Sequence, residues 1–287
     1  MDINIVLFVF GLVIGSFFNV VARRYDGEHF VFDSKEIGGR SRCPHCRTTL
    51  LWFELVPLMS FFAQGGRCRH CKRSISVAYP IVEFLMGLLF VLVPWRAVAF
   101  YDVHGLTFAP IAGLWVSVFS ILFLISYIDI RLGIVPDELT VLFAVFALGI
   151  VALSAASAGA PVSFIGSFWN SWGFQFSAWA NAAMGAVVGL IIFGGLWLGT
   201  RGRGMGMGDV KLAIPLGFLF GWPGVVFVAT AAFVIGAVFG VSAIVVHRKT
   251  MRSAVPFGPF LALGATAIFF FGVPVMAWYF GLLGVGM

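Results

Sequence analysis

Few acids in this chain lie in or beside its long apolar runs: Glu83, Asp129, Asp137, Glu138 and Asp209. Acids in such surroundings are costly to desolvate and are functional candidates by default. Asp129 ends one apolar run, in YIDIRLGIVPDELT, and Asp209 opens another, in RGRGMGMGDVKLA. Two carboxylates held close together cannot both ionise. The ionised member can then activate a water while its protonated partner supplies a proton to a carbonyl oxygen or a leaving amine. That chemistry hydrolyses a peptide bond with neither a metal nor a nucleophilic serine. A peptide must be extended to be cut, and Gly206 and Gly208, lacking a Cβ, permit irregular backbone and close approach of another chain beside Asp209. The bland alternative, a flexible glycine loop before a helix, stands beside this reading.

The other acids have structural readings. Asp137 rivals Asp129, but PDELT begins an apolar run, and aspartate is favoured at a helix N-terminus. Glu138 reads as a surface acid. Glu83, in YPIVEFL, is open between a functional role and a structural one, snorkelling or pairing with a loop arginine. No Ser/His or Cys/His constellation accompanies the acids; His104 falls on the opposite side and His247 stands alone in a basic run.

All four cysteines form two C-x2-C pairs, CPHC at 43–46 and CRHC at 68–71. Two such knuckles place Cys43, Cys46, Cys68 and Cys71 around one ion, with a spacer just beyond the usual zinc-ribbon range. Four thiolates make a closed zinc site with no open position for substrate, so the metal staples the loop and does no catalysis. His45 and His70 are bystanders within the knuckles. The competing reading is a redox dithiol pair.

These residues must be positioned by membrane helices. Of the 287 residues, 61% are hydrophobic and 10% charged, too few polar groups for a soluble domain of this size. Strand alternation is absent, which argues against a barrel. Apolar runs at 4–21, 79–95, 108–128, 138–155, 179–199, 209–222, 224–246 and 258–281 predict an all-α polytopic membrane protein with eight spans. The pair meeting at 222–224 reads equally as one long kinked segment. Met1-Asp2 lacks a basic leader, and Arg23-Arg24 follow the first run, so that run is a retained span with its N-terminus outside.

Alternating eight spans puts 22–78, 129–137, 200–208 and 247–257 in the cytoplasm, a reducing compartment that disfavours disulfides. Of 18 Lys and Arg, only Arg96 then falls in an outer loop. The net charge of +6 is explained by this asymmetry and implies no nucleic-acid partner. Arg248, Lys249 and Arg252 read as contacts to anionic headgroups. Both termini face outward, and Asp129 and Asp209 share the cytoplasmic face. Residues 156–178, with Trp169 and Trp172 inside and Trp179 just beyond, read as an outer segment lying partly in the headgroup region, or else as a ninth or re-entrant span.

In order along the chain, GSFFNVVARR (15–24), SRCPHC, GRCRHC, SISVAYPIVE (74–83), DIRLGIVPDELT (129–140), GMGDVKLA (206–213) and PFGPFLALGA (256–265) resemble the motifs of the type IV prepilin peptidases, bifunctional leader peptidase/N-methyltransferases. The G-x-G-D feature is similar also to presenilin-like and preflagellin peptidases, which lack the cysteine loop. The resemblance implies that Asp129 and Asp209 are the catalytic pair. It also implies prepilin or pseudopilin substrates with a basic leader, from pilus or type II secretion systems. Methylation of the new N-terminus from S-adenosylmethionine, and a place in the bacterial inner membrane, are implied in the same way. The chain then divides into a first transmembrane helix (1–21), a cytoplasmic zinc loop (22–78) and a membrane-embedded aspartyl peptidase domain (79–287). One departure bears on methylation: the family's E-N-x-P reads FELVPL here, with Leu55 in place of asparagine. No glycine fingerprint follows a strand, and the loop is too short for a Rossmann domain. The rivals from other classes are a proton-coupled transporter, which needs acids deep in several spans, and a zinc-bearing assembly scaffold, which leaves the two acids without a role.

Overall fold

A computed structural model describes residues 2–33, 37–101, 106–156, 177–246 and 255–282. The expectations for His104, His247, Arg248, Lys249, Arg252, Trp169, Trp172 and most of 156–178 lie outside the described residues. The chain forms two compact units, Met1–Trp95 and Arg96–Met287.

In the first unit, α1 (Ile3–Arg24) is joined by the cysteine loop to α3 (Ala78–Ala97), and the loop carries the short α2 (Met59–Ala63). Lipid offers helices no hydrophobic drive to associate, so close backbone approach through small residues does the work. Gly11 and Gly15, one helical turn apart on α1, meet α3 in this way. A Cβ on Gly11 would lie 2.6 Å from the Met86 carbonyl oxygen, and one on Gly15 would lie 2.8 Å from the Glu83 Cα. Buried Asn19 donates to the Tyr79 carbonyl at 3.2 Å, and Arg23 lies over the Tyr79 ring at 4.0 Å. Glu83 is buried and accepts the Leu58 N–H at 2.8 Å. This is a backbone anchor for the loop, where pairing with a loop arginine was one expectation.

The second unit contains α4 (Phe108–Leu132), α5 (Asp137–Ala156), α6 (Ala178–Gly199), α7 (Met207–Val245) and α8 (Gly258–Leu282). Trp115 is fully buried on α4, against Phe119 of its own helix, Phe269 of α8 at 4.7 Å and Phe220 of α7 at 6.2 Å. Its indole N–H donates to the Tyr101 hydroxyl at 3.2 Å. Large apolar side chains such as Val141, Val145, Ile191, Val238 and Phe271 face outward, as they must when lipid is the solvent.

Seven described helices are long and apolar enough to cross a bilayer, where eight spans were expected. The difference lies in α7, which is continuous by hydrogen bonding but breaks at Gly221 (φ 65°, ψ −176°) and Trp222 (φ −88°, ψ 134°). The positive φ is one that glycine adopts without penalty.

Contacts with α6 show that the chain reverses there. A Cβ on Gly189 would meet the Ala213 carbonyl oxygen at 2.7 Å and Val225 Cγ2 at 3.3 Å, so both arms flank it. A Cβ on Gly185 would overlap the Gly217 carbonyl and lie 2.6 Å from the Gly221 Cα. Asn181 accepts the Trp222 N–H at 3.1 Å, while Phe193 stacks on Phe233 at 5.8 Å. Going from 213 to 221 the chain runs down α6 towards Asn181, and from 225 to 233 it runs back. Thus 207–220 and 223–245 are antiparallel arms, of about 21 and 34 Å at 1.5 Å per residue. The first is shorter than a hydrocarbon core of about 30 Å.

Candidate active site and metal centre

The reversal in α7 returns the chain to the end of the second unit where Asp209 lies, and there the first residue of α8, Gly258, meets Asp129. The third span was expected to end before Asp129, but α4 continues to Leu132, so Asp129 lies in its last turn. Gly133 stops the helix in the left-handed conformation (φ 71°) and donates its N–H to the Asp129 carbonyl at 2.8 Å. The linker then folds onto the start of α7, because a Cβ on Gly208 would lie 2.8 Å from Val135 Cβ. Gly208 therefore makes room for this chain's own Val135. Gly206 is the N-cap of α7 with an ordinary φ of −72°, and a Cβ on it would lie 3.4 Å from Asp209 Oδ2.

Asp129 and Asp209 are both buried, at 4% and 6% exposure, and lie within Coulombic range of each other. Asp129 Oδ2 accepts the Gly258 N–H at 3.0 Å. That N–H belongs to the first residue of α8, where helical donors are free and the dipole favours an anion. Gly258 has to be glycine for the carboxylate to sit there, since a Cβ would lie 2.7 Å from Oδ2. Three helix ends thus converge on two buried acids, of which Asp129 is held by the backbone N–H of Gly258. Such a pair can hold a water between a base and an acid.

The remaining acids are occupied elsewhere. Asp137 is exposed at the start of α5 and accepts both its hydrogen bonds from Lys211 Nζ, at 2.8 and 2.9 Å. Glu138 is half-buried rather than fully at the surface.

In the first unit the cysteine pairs build two closely similar knuckles. Cys43 N–H donates to the Thr48 carbonyl at 3.0 Å, and Cys68 N–H to the Arg73 carbonyl at 2.8 Å. Arg47 and Lys72 take positive φ, 57° and 59°, at equivalent places. Isolated bridges Arg42–Thr49 and Arg67–Ser74 close each turn.

All four sulfurs lie within 4.8 Å of one another, with Cys43–Cys71 and Cys46–Cys68 at 3.9 Å. A tetrahedral four-thiolate centre with metal–sulfur bonds of about 2.3 Å has edges of about 3.8 Å, so the cluster fits an ion. Hydrogen bonds from Thr48, side chain first and then backbone, hold the Cys46 thiol down at about 6. A backbone hydrogen bond from Arg73 favours the Cys71 thiolate, yet burial and the neighbouring sulfurs push its thiol up to about 11. Four thiolates this close need a cation between them. His45 and His70 are exposed and outside the cluster.

Between the knuckles, buried Glu54 accepts the Leu51 N–H on Oε2 at 2.8 Å, and its Oε1 has no hydrogen-bond partner among the described residues. Leu55 beside it is exposed.

Converging buried acids in a bundle of membrane-length helices, in a chain that also carries a cysteine loop, define a class, and sequence comparison agrees with it. Residues 9–97 match the bacterial peptidase A24 N-terminal domain and residues 116–241 match the type IV leader peptidase family, and the chain belongs to that family. It is 34% identical to the prepilin leader peptidase/N-methyltransferase of Burkholderia pseudomallei (strain 1026b), over 93% of this chain and 84% of that one. It is 29% identical to the proteins of the same name from Aeromonas hydrophila (95% and 92% covered) and Bacillus subtilis strain 168 (96% and 96%). No solved structure matches the chain.

Sequence reasoning missed two positions. Gly258 lies in PFGPF, a motif noted by resemblance but given no role, and its only signal is glycine between prolines and aromatics. Asn181, which holds the α7 reversal, was signalled only by a lone amide in the apolar run AWANAAMG.

Proposed function

We propose that this chain is a membrane aspartyl endopeptidase that removes the basic leader of prepilins or pseudopilins, with Asp129 and Asp209 as its dyad. The observation that carries the reading is the convergence of two buried acids at one end of the bundle, with Asp129 oriented by the Gly258 N–H. The scissile carbonyl sits against the pair. One carboxylate takes a proton from the attacking water, the other gives its proton to the leaving amine, and the pair ends with the one proton it began with.

The chain also methylates the new N-terminus, as its relatives' names imply. S-adenosylmethionine is the co-substrate, and no residue is assigned to its seat. The cysteine cluster holds zinc. A closed four-thiolate set gives that zinc a structural role, stapling a loop, 22–78, that has little core of its own.

The bundle end bearing the acids also carries Arg131, Arg201, Arg203 and Lys211, which supports placing it in the cytoplasm of a bacterial inner-membrane protein with both termini outside. Co-expression with a prepilin, followed by mass analysis of its N-terminus, tests both activities. A shortened, methylated product is expected. An uncleaved prepilin at matched expression would end the peptidase reading, and a cleaved, unmethylated one the methyltransferase reading.

A further inference from the structure

The cysteine loop exposes more large apolar surface than scattered residues account for. Trp52 is 79% exposed, and Met59 and Phe62 are each 72% exposed. Leu51, Phe53 and Leu55 are exposed beside them. The rings of Trp52 and Phe53, and of Phe61 and Phe62, pack edge-on against each other at 5.8 Å. A clustered apolar surface of this kind marks a contact.

Depth and charge say what that contact is. The Leu58 N–H, immediately before α2, is bonded to Glu83 at 2.8 Å. Glu83 lies a turn and a half into α3, about 7.5 Å along the axis from Ala78 at 1.5 Å per residue. A headgroup layer is about 5–7 Å thick, half the difference between the full bilayer and its hydrocarbon core. The 20 residues of α3 measure about 30 Å and only just span a hydrocarbon core, so a bond about 7.5 Å along α3 ties α2 to it at the membrane boundary and not above it. Ile81, Phe84 and Leu85 on α3 are exposed at the same level.

Arg67, Arg69, Lys72 and Arg73 are exposed in the same loop, and the Arg69 guanidinium lies 5.3 Å from the Phe53 ring centroid. Aromatic and apolar side chains with basic neighbours are the composition of a segment lying in the interface of an anionic bilayer.

We propose that Trp52, Phe53, Met59 and Phe62 dock the cysteine loop onto the anionic phospholipid surface, so that the metal module is held at headgroup level. The loop is thereby fixed at two points, by Glu83 from within the protein and by lipid from without. The contact concerns the loop alone and stands or falls independently of the acids.

The test replaces Phe62 or Met59 by p-benzoylphenylalanine in the full-length protein. Each variant is irradiated in nanodiscs of phosphatidylethanolamine and phosphatidylglycerol, and in native membranes. The same probe at Ile81, on the lipid-facing side of α3, is the positive control. Phospholipid adducts on the intact protein at both loop positions are expected, at yields within about threefold of Ile81. Adducts at Ile81 with none at either loop position would overturn the proposal. So would loop adducts in native membranes that join protein rather than lipid. Because both loop side chains are exposed, neither variant removes a core contact.

Discussion

Gly258→Ala separates positioning of the acids from stability of the fold. The new Cβ would lie 2.7 Å from Asp129 Oδ2, about 0.7 Å short of the 3.4 Å at which ordinary contact begins. It also stands 3.4 Å from the carboxyl carbon and 3.6 Å from the Asp129 Cβ, so the carboxylate is the group that must move. Moving it breaks the 3.0 Å bond from the Gly258 N–H. A hydrogen bond to a charged group is worth about 1.5–3 kcal/mol. If that orientation is needed in the transition state, kcat/KM falls about 10- to 150-fold, at about 1.4 kcal/mol per decade. Alanine is also the better helix former, so the first turn of α8 is not weakened by propensity. Prepilin cleavage by purified variant and parent, with thermal unfolding of both, is the assay. The expected result is a slow enzyme with a midpoint at or near the parent's. Cleavage at the parental rate would refute the claim that Gly258 sets the Asp129 carboxylate.

Three further outcomes follow from the same geometry. Purified protein should carry about one zinc per chain; Cys43→Ser should lose it, and acidification should release it, because protons compete for thiolates and binding weakens as pH falls. Metal analysis finding none, with all four thiols freely alkylated in the folded protein, would contradict this. Gly185→Ala should lower the unfolding midpoint by the equivalent of about 1–3 kcal/mol, because its Cβ meets backbone of α7 that cannot rotate away; an unchanged midpoint would mean that the two helices do not cross there. Asp137→Asn should keep most of its activity and stability, since the pair with Lys211 is exposed and such pairs are worth about 0–1 kcal/mol; a loss comparable to that of Asp129→Asn would transfer the first catalytic role to Asp137.

The membrane helices were legible because apolar length is a strong signal, and their observed ends fall close to the expected runs. The break in α7 was legible as an ambiguity at Trp222–Gly224. Its resolution required Asn181 and the glycines of α6, which only tertiary contact reveals. The knuckles were legible from spacing alone, since two C-x2-C pairs leave few other geometries. Asp129 was legible as a candidate but not as a buried helical residue, because the apolar run was read as ending at 128, whereas the helix stop is Gly133. The role of Gly258 was not legible. A glycine at a helix start looks the same in sequence whether it serves the helix or the carboxylate 129 residues earlier. Gly208 was read as room for substrate, and the structure fills that room with Val135.

The central claim is that Asp129 and Asp209 act as one unit. The direct measurement is cleavage of a prepilin by membranes containing Asp129→Asn, Asp209→Asn and the double variant at matched expression. A shared-proton pair needs both members, so each single variant should abolish detectable cleavage and the double should be no worse than either. Full activity in either single variant would contradict the dyad.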